Sequence, residues 1–239
     1  MHMYSSNDLI TYFGDQTCSI PIDQIDALRE SAVIDRALRA LLPAAFAESS
    51  LFFTRQVHGT QGLAVTPQIV EIVPLFTHDA DFMITNHRGI ALGVLTADCL
   101  PLVLHDRRNH AMAMVHAGWR GSVGGVLERA IHTMVDAYGT DPGTIDLSVG
   151  PAARGCCYEI GADVLEIIRA FSWADKVIEQ RNGRWYADMV MLNVSWAQAL
   201  GITSIVIEKA DCTICNAHYC SYRRQGTLAN RQISVALLM

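Results

Sequence analysis

The sequence has no surplus of basic side chains: 18 lysines and arginines face 24 aspartates and glutamates, a formal net charge of -6 over 239 residues. With no cations in excess to neutralise phosphates, the composition argues against nucleic acid or an anionic membrane as the main partner. No apolar run approaches the roughly 18 residues that an ordinary transmembrane helix needs. The opening MHMYSSNDLITYFGDQ lacks both a basic n-region and an uninterrupted apolar h-region, so no secretory signal is expected. Internal repeats and linkers rich in Pro, Gly or Ser are also missing, and residues 1–239 read as one domain. Charged residues are only 18% against 51% hydrophobic, the balance of a chain that folds around a core rather than a disordered one. The seven cysteines are odd in number and scattered or closely clustered, unlike a secreted disulfide scaffold. They point to a reducing, cytoplasmic setting in which thiols are available to metal.

What is present is a mixture of strand and helix signals. Strands are expected at Asp8–Phe13, Leu51–Val57, Ala80–Thr85, Ile90–Thr96, Leu100–His105, Ala111–His116, Ile145–Val149, Arg184–Tyr186, Ile202–Glu208 and Ile233–Leu238. Apolar residues at helical spacing predict helices over Pro21–Leu42, over Ser122–Tyr138 and over Asp163–Phe171. Pro43 closes the first, and Gly139 with Pro142 ends the second. A further helix is expected over Met189–Leu200, capped by Asp188 and followed by Gly201. Residues 60–80 read as edge strands or loop, because Pro67 and Pro74 interrupt the apolar positions. Strands and helices mix without a strict βαβ alternation, so the class is α+β.

Chemistry concentrates in Gly93–Gly121, GVLTADCLPLVLHDRRNHAMAMVHAGWRG, where Cys99 and His116 stand at the meeting of apolar runs and polar turns. His58, in TRQVHG, likewise follows a hydrophobic run and precedes a glycine. One soft thiolate and two imidazoles suit Zn²⁺, with Cu²⁺ also possible, and three protein ligands leave a fourth position for water or substrate. That is the pattern of a catalytic rather than a structural site. Each residue also has a plainer reading, as a core histidine or a small buried thiol. The neighbours Gly59, Ala97, Ala117 and Gly118 are small enough for backbone or ligand to approach closely.

TRQVHG, DADFMIT, LTADCLP, MVHAGWRG, the VGP turn with CYEIG, DMVMLN and CSYRR follow one another across residues 51–239. Together they resemble the YfiH/YlmD-type family, whose members carry the names multicopper polyphenol oxidase (laccase), purine nucleoside phosphorylase and peptidoglycan editing factor. The resemblance implies a four-layer α/β/β/α sandwich with mixed sheets. It also implies a metal held by the histidine of QVHG, the cysteine of ADC and the histidine of HAGWRG, here His58, Cys99 and His116. The implied activity is phosphorolysis of adenosine, inosine, guanosine or methylthioadenosine, with deamination of adenosine, and no obligate protein partner. Alternatives are amide hydrolysis of UDP-muramoyl amino acids, with Cys99 as nucleophile or a zinc-bound water as attacker, and copper-dependent phenol oxidation. Against the last, the nine histidines include no H-x-H pair. The sequence departs from the family at Tyr12–Pro21, YFGDQTCSIP, where a TR-x-GG-type segment is usual, and at TLANRQ, where a GR-containing turn is usual.

Phosphorolysis needs cations for phosphate, and the planar fork of arginine suits its oxygens. Arg55, three residues before His58, is the first candidate, followed by Arg120 and the Arg223–Arg224 pair; the plainer role for each is a salt bridge. Asp98 reads as a general base, as the group that orients a ligand histidine, or as a turn cap. Glu159 and His78 are weaker candidates, and Trp119 reads either as a purine stacking face or as packing. Cys212-x-x-Cys215-x-x-His218-x-Cys220 has the look of a structural zinc knuckle. The adjacent Cys156 and Cys157 read as packing or loop residues.

Overall fold

The computed structural model of the protein describes residues 2–5, 8–28, 32–207 and 210–239. From the N-terminus, β1 (His2–Ser5), β2 (Leu9–Phe13) and β3 (Ser19–Ile20) precede α1 (Ile22–Leu28) and α2 (Ala32–Leu41). The helix expected across Pro21–Leu42 is therefore seen as two segments, and residues 29–31 of it lie outside the described residues. β4 (Ser50–Phe53) and β5 (Gly62–Ala64) lead to α3 (Pro67–Ile72), a helix where the prolines suggest edge strands or loop. Pro67 occupies the first helical position, where no N–H is needed, and the Thr66 hydroxyl accepts the Ile69 N–H at 3.4 Å. A residue taken for a strand breaker is a helix starter.

β6 (Phe82–Thr85), β7 (Ile90–Thr96), β8 (Leu100–Asp106) and β9 (Ala111–Ala117) follow the expected runs closely, and α4 (Trp119–Val123) and α5 (Val126–Tyr138) come next. The single helix expected from Ser122 is interrupted because Gly125 adopts a left-handed φ of 87°, a conformation glycine enters at no steric cost. The chain continues through β10 (Ile145–Val149), β11 (Glu159–Ile160), α6 (Ala162–Arg169), β12 (Ile178–Arg181) and β13 (Arg184–Ala187). It ends with α7 (Met189–Ala199), β14 (Ser204–Val206), α8 (Tyr222–Gln225) and β15 (Arg231–Leu238). Asp188 caps α7 as expected, its carboxylate accepting the Val190 and Met191 N–H groups at 3.0 Å each. β14 is shorter than the expected Ile202–Glu208, of which Glu208 lies outside the described residues.

Two six-stranded mixed sheets form the centre. The first runs β1-β2-β15-β7-β4, with β3 also paired to β15; only β7 and β4 are parallel. The second runs β14-β10-β8-β9-β6-β5, parallel at its two ends and antiparallel between. A small antiparallel sheet, β11-β13-β12, stands apart.

Strand alternation sorts side chains into three cores. Ile90, Leu92 and Val94 of β7 join Met112 and Met114 of β9 between the two large sheets. On the far side of the first sheet, Ala91, Leu95, Ile233 and Val235 pack against Ile25 of α1 and Ile34 and Leu38 of α2. On the far side of the second, Leu102, Leu104, Ala113 and Val115 meet Leu127 and Ile131 of α5, Val164 and Leu165 of α6 and Val190 of α7. The arrangement is the α+β, four-layer α/β/β/α sandwich with mixed sheets that the resemblance implies. Because the central strands are buried on both faces, they read in sequence as continuous apolar runs. Gly93, midway along β7, lies under the Phe53 ring of β4, and a Cβ there would stand 2.1 Å from it. Among the described residues no helix is long and apolar enough to cross a membrane.

Candidate metal centre

The three sequence-predicted ligands come from two turns and the end of β9, at one end of the large sheets. After β4, the chain leaves its sheet by way of Gln56, whose side chain mimics a strand: Nε2 donates to the Leu95 carbonyl at 2.7 Å, and Oε1 accepts the Leu95 N–H at 2.8 Å. The next residues wrap a buried carboxylate. Asp81, 1% exposed, accepts N–H groups from Val57 at 3.3 Å, His58 at 2.9 Å and Gly59 at 2.6 Å. His58 sits in the left-handed region at φ 60°, and these bonds offset the cost of that conformation.

Cys99 follows Asp98, a second left-handed residue at φ 87°, in the turn between β7 and β8. His116 is the last of the row Met112, Met114, His116, which the alternation of β9 turns toward the first sheet. One ligand atom from each of His58, Cys99 and His116 lies within 4.8 Å of the others. The two imidazole rings meet edge to face, with centroids 5.0 Å apart. Only glycine is compatible with position 118: a Cβ there would stand 2.9 Å from His58 Cδ2 and 3.2 Å from Cys99 Sγ.

His116 Nδ1 lies 2.8 Å from Asp81 Oδ1, so the remaining nitrogen is the one presented to Cys99 and His58. That carboxylate–imidazole pair is the usual support of a ligand histidine, and it fits the site to a divalent ion. Burial alone would raise the Cys99 thiol, but the His116 charge and hydrogen bonds from both histidines prevail and bring it down from 9.0 to about 6. Burial likewise disfavours a charged His116, yet the Cys99 thiolate and Asp81 outweigh it and raise the imidazole from 6.5 to about 9. Burial also opposes the charge on Asp81, and the bonds from His116, Gly59 and His58 hold it below its ordinary value. Both shifts favour a thiolate beside an imidazolium.

The ligands open on a cavity of about 550 Å³. Arg55, Arg120, Arg223 and Arg231 border it, with Trp119, Tyr158 and Tyr222. Arg55 pairs with Asp79 at the half-exposed mouth. The Arg120 guanidinium lies 4.4 Å from the centre of the Trp119 ring. Arg223 donates to the Glu159 carbonyl at 2.7 Å and stands 4.7 Å over the Tyr158 ring. The sequence did not single out Asp81, Gln56, Tyr158, Tyr222 or Arg231. For Asp81 the only cue is an acid at the head of the apolar run Phe82–Thr85.

Several expectations change. The carboxylate that orients a ligand histidine is Asp81 and not Asp98, whose two oxygens accept the Thr213 hydroxyl at 2.7 Å and the Arg223 N–H at 2.6 Å. Arg224 turns away from the cavity and donates to the carbonyls of Thr213, Ile214 and Tyr219. The Glu159 carboxylate pairs with Arg184, and His78 borders a different groove. In the second thiol cluster, Cys212 and Cys215 are joined not by His218 and Cys220 but by Cys156 and Cys157. Cys220 is instead buried with Ala97 and Ala229.

The mixed α/β/β/α sandwich is a fold already seen in solved structures. The YfiH protein of Bacillus licheniformis superposes with a TM-score of 0.79 over 97% of this chain and 93% of that one; at 19% identity the likeness concerns the fold. The chain is 34% identical over 160 residues to a protein of Aquifex aeolicus named purine nucleoside phosphorylase, covering 67% of this chain and 72% of that one. It is 29% identical over 238 residues to a protein of an unknown prokaryotic organism named adenosine deaminase RL5, covering 95% and 85% respectively. Residues 29–239 match the family described as multi-copper polyphenol oxidoreductase laccase, and the chain belongs to that family, of YfiH/YlmD type.

Proposed function

We propose that the protein is a zinc-dependent purine nucleoside phosphorylase that also deaminates adenosine, acting in the cytoplasm. The observation that carries this reading is the convergence of His58, Cys99 and His116 beside a cavity of about 550 Å³ bordered by arginines and aromatic rings. That volume suits a small polar ligand with one flat apolar part. Relatives named for both activities support the same reading.

In phosphorolysis the bond from ribose C1′ to the purine nitrogen breaks, a phosphate oxygen bonds to C1′, and the purine leaves with a proton. Arg55, Arg120 and Arg223 hold the phosphate through paired N–H donors and stabilise it against the departing base. Trp119, Tyr158 and Tyr222 offer faces on which the purine stacks. In deamination water adds at the purine C6 carbon and ammonia departs. A zinc ion held by His58, Cys99 and His116 supplies Lewis acidity, because one thiolate cancels only one of its two charges. Asp81 fixes the His116 ring. Asp98 acts by holding the Arg223 backbone in place, and Cys99 serves as a ligand.

The family description names copper, and a two-histidine, one-cysteine set takes Cu²⁺ readily. The other metal-competent group among the described residues is all cysteine, which does not supply the histidines of a multicopper centre.

The test is metal analysis of the purified protein, followed by assays on adenosine with and without phosphate, on a UDP-muramoyl amino acid and on a phenol. Zinc, with adenine released only when phosphate is present and ammonia released without it, is the expected result. Turnover of the muramoyl substrate or the phenol alone overturns the proposal. Arg55→Ala should leave the metal in place and raise the phosphate KM roughly tenfold or more, the loss of one charge-assisted contact.

A further inference from the structure

We propose that Cys156, Cys157, Cys212 and Cys215 form a second metal site, a four-thiolate Zn²⁺ clip that fastens two loops behind the cavity wall. Their four sulfurs all lie within 4.8 Å of one another, and the Cys156 and Cys215 sulfurs are 3.8 Å apart. A tetrahedral zinc with Zn–S bonds of about 2.3 Å separates its sulfurs by about 3.8 Å. Every sulfur neighbours the other three. One ion at the centre requires that geometry, whereas two separate disulfides do not.

Packing does not explain the cluster. Cys156 and Cys215 are exposed and Cys157 is half-buried, so three of the four thiols do not serve as core hydrophobes. Cys212 alone is buried; although burial disfavours its charge, the backbone N–H groups of Cys215 and Ile214 in its own turn and of Arg154 in the other loop bring its thiol below its ordinary value. Such N–H donors support a thiolate ligand. The loops are also held in register by a bridge between Ala152 and Cys212, the Thr213 N–H donating to the Ala152 carbonyl at 3.0 Å.

The clip is placed to matter to the cavity. Tyr158, the residue after Cys157, lies under the Arg223 guanidinium, while Thr213, the residue after Cys212, bonds the Asp98 carboxylate beside Cys99. An ion at this position ties the Tyr158 wall of the cavity to the turn that carries Cys99.

The experiment counts zinc in protein purified under reducing conditions, stripped with chelator and reloaded with Zn²⁺ alone. The wild type should bind two ions per chain. Cys156→Ser/Cys215→Ser, which alters exposed positions, and His58→Ala/Cys99→Ser should each bind one. X-ray absorption of zinc in the latter variant should show four sulfurs at about 2.3 Å. Native alkylation provides a readout that needs no variant: the exposed Cys156 and Cys215 thiols should be protected in zinc-loaded wild type and reactive once zinc is removed. One ion in the wild type with an unchanged count in Cys156→Ser/Cys215→Ser, alkylation unaffected by zinc, or a Cys156–Cys215 disulfide in the reduced preparation overturns the proposal.

Discussion

Asp81 holds two things that would otherwise come apart: the imidazole of His116 and the backbone of the turn that carries His58. Replacing it with asparagine keeps the size but removes the charge that favours both sets of N–H donors. Asp81→Asn should weaken zinc binding at His58, Cys99 and His116 by about 10–100-fold, measured by chelator competition. An unchanged affinity would mean that the carboxylate does not support the ligand. The three residues that converge were legible in the sequence because each ends an apolar run, borders small residues and stands in a motif of the family resemblance. Asp81 was not, since a buried acid at the edge of a strand has no local signature until its partners, distant along the chain, are brought to it. Asp98 attracted attention by standing next to a ligand, yet the left-handed turn points its carboxylate at Thr213 and Arg223.

Among the elements, the central strands were the most legible, because burial on both faces leaves little room for polar residues in β7, β8 and β9. The half-exposed β12, with sequence IEQR, gives no such pattern. Helix boundaries were less legible where one residue type has two uses: Pro67 begins a helix rather than ending a strand, and Gly125 divides an otherwise continuous apolar stripe. Gly93 shows the same dependence on surroundings, as its lack of a side chain is what lets Phe53 of the parallel neighbour lie flat on β7. Gly93→Ala should therefore lower stability by about 1–3 kcal/mol, the usual range for overpacking, in urea unfolding. Zinc content should stay the same; a loss of metal without a loss of stability would contradict this account.

For the molecule as a whole, the charged pair at the centre links stability to pH. Cys99, lowered from 9.0 to about 6, favours the fold above its ordinary value and loses that contribution as pH falls through about 6. His116, raised from 6.5 to about 9, favours the fold below its ordinary value and loses its contribution as pH rises through about 9. The pair is complete only between those limits. In chelator-treated protein, the melting-temperature advantage of wild type over Cys99→Ser should shrink as pH falls from about 9 and be lost through about 6. A difference that is constant with pH would mean the pair does not form.

The order of strands in the first sheet also bears on how the molecule is made. β15 lies between β2 and β7, so residues translated more than two hundred positions apart must meet before that layer closes. Until the ribosome has passed Leu238, the nascent β2 and β7 each present an unpaired edge, the kind of surface that chaperones bind and that aggregates when left bare.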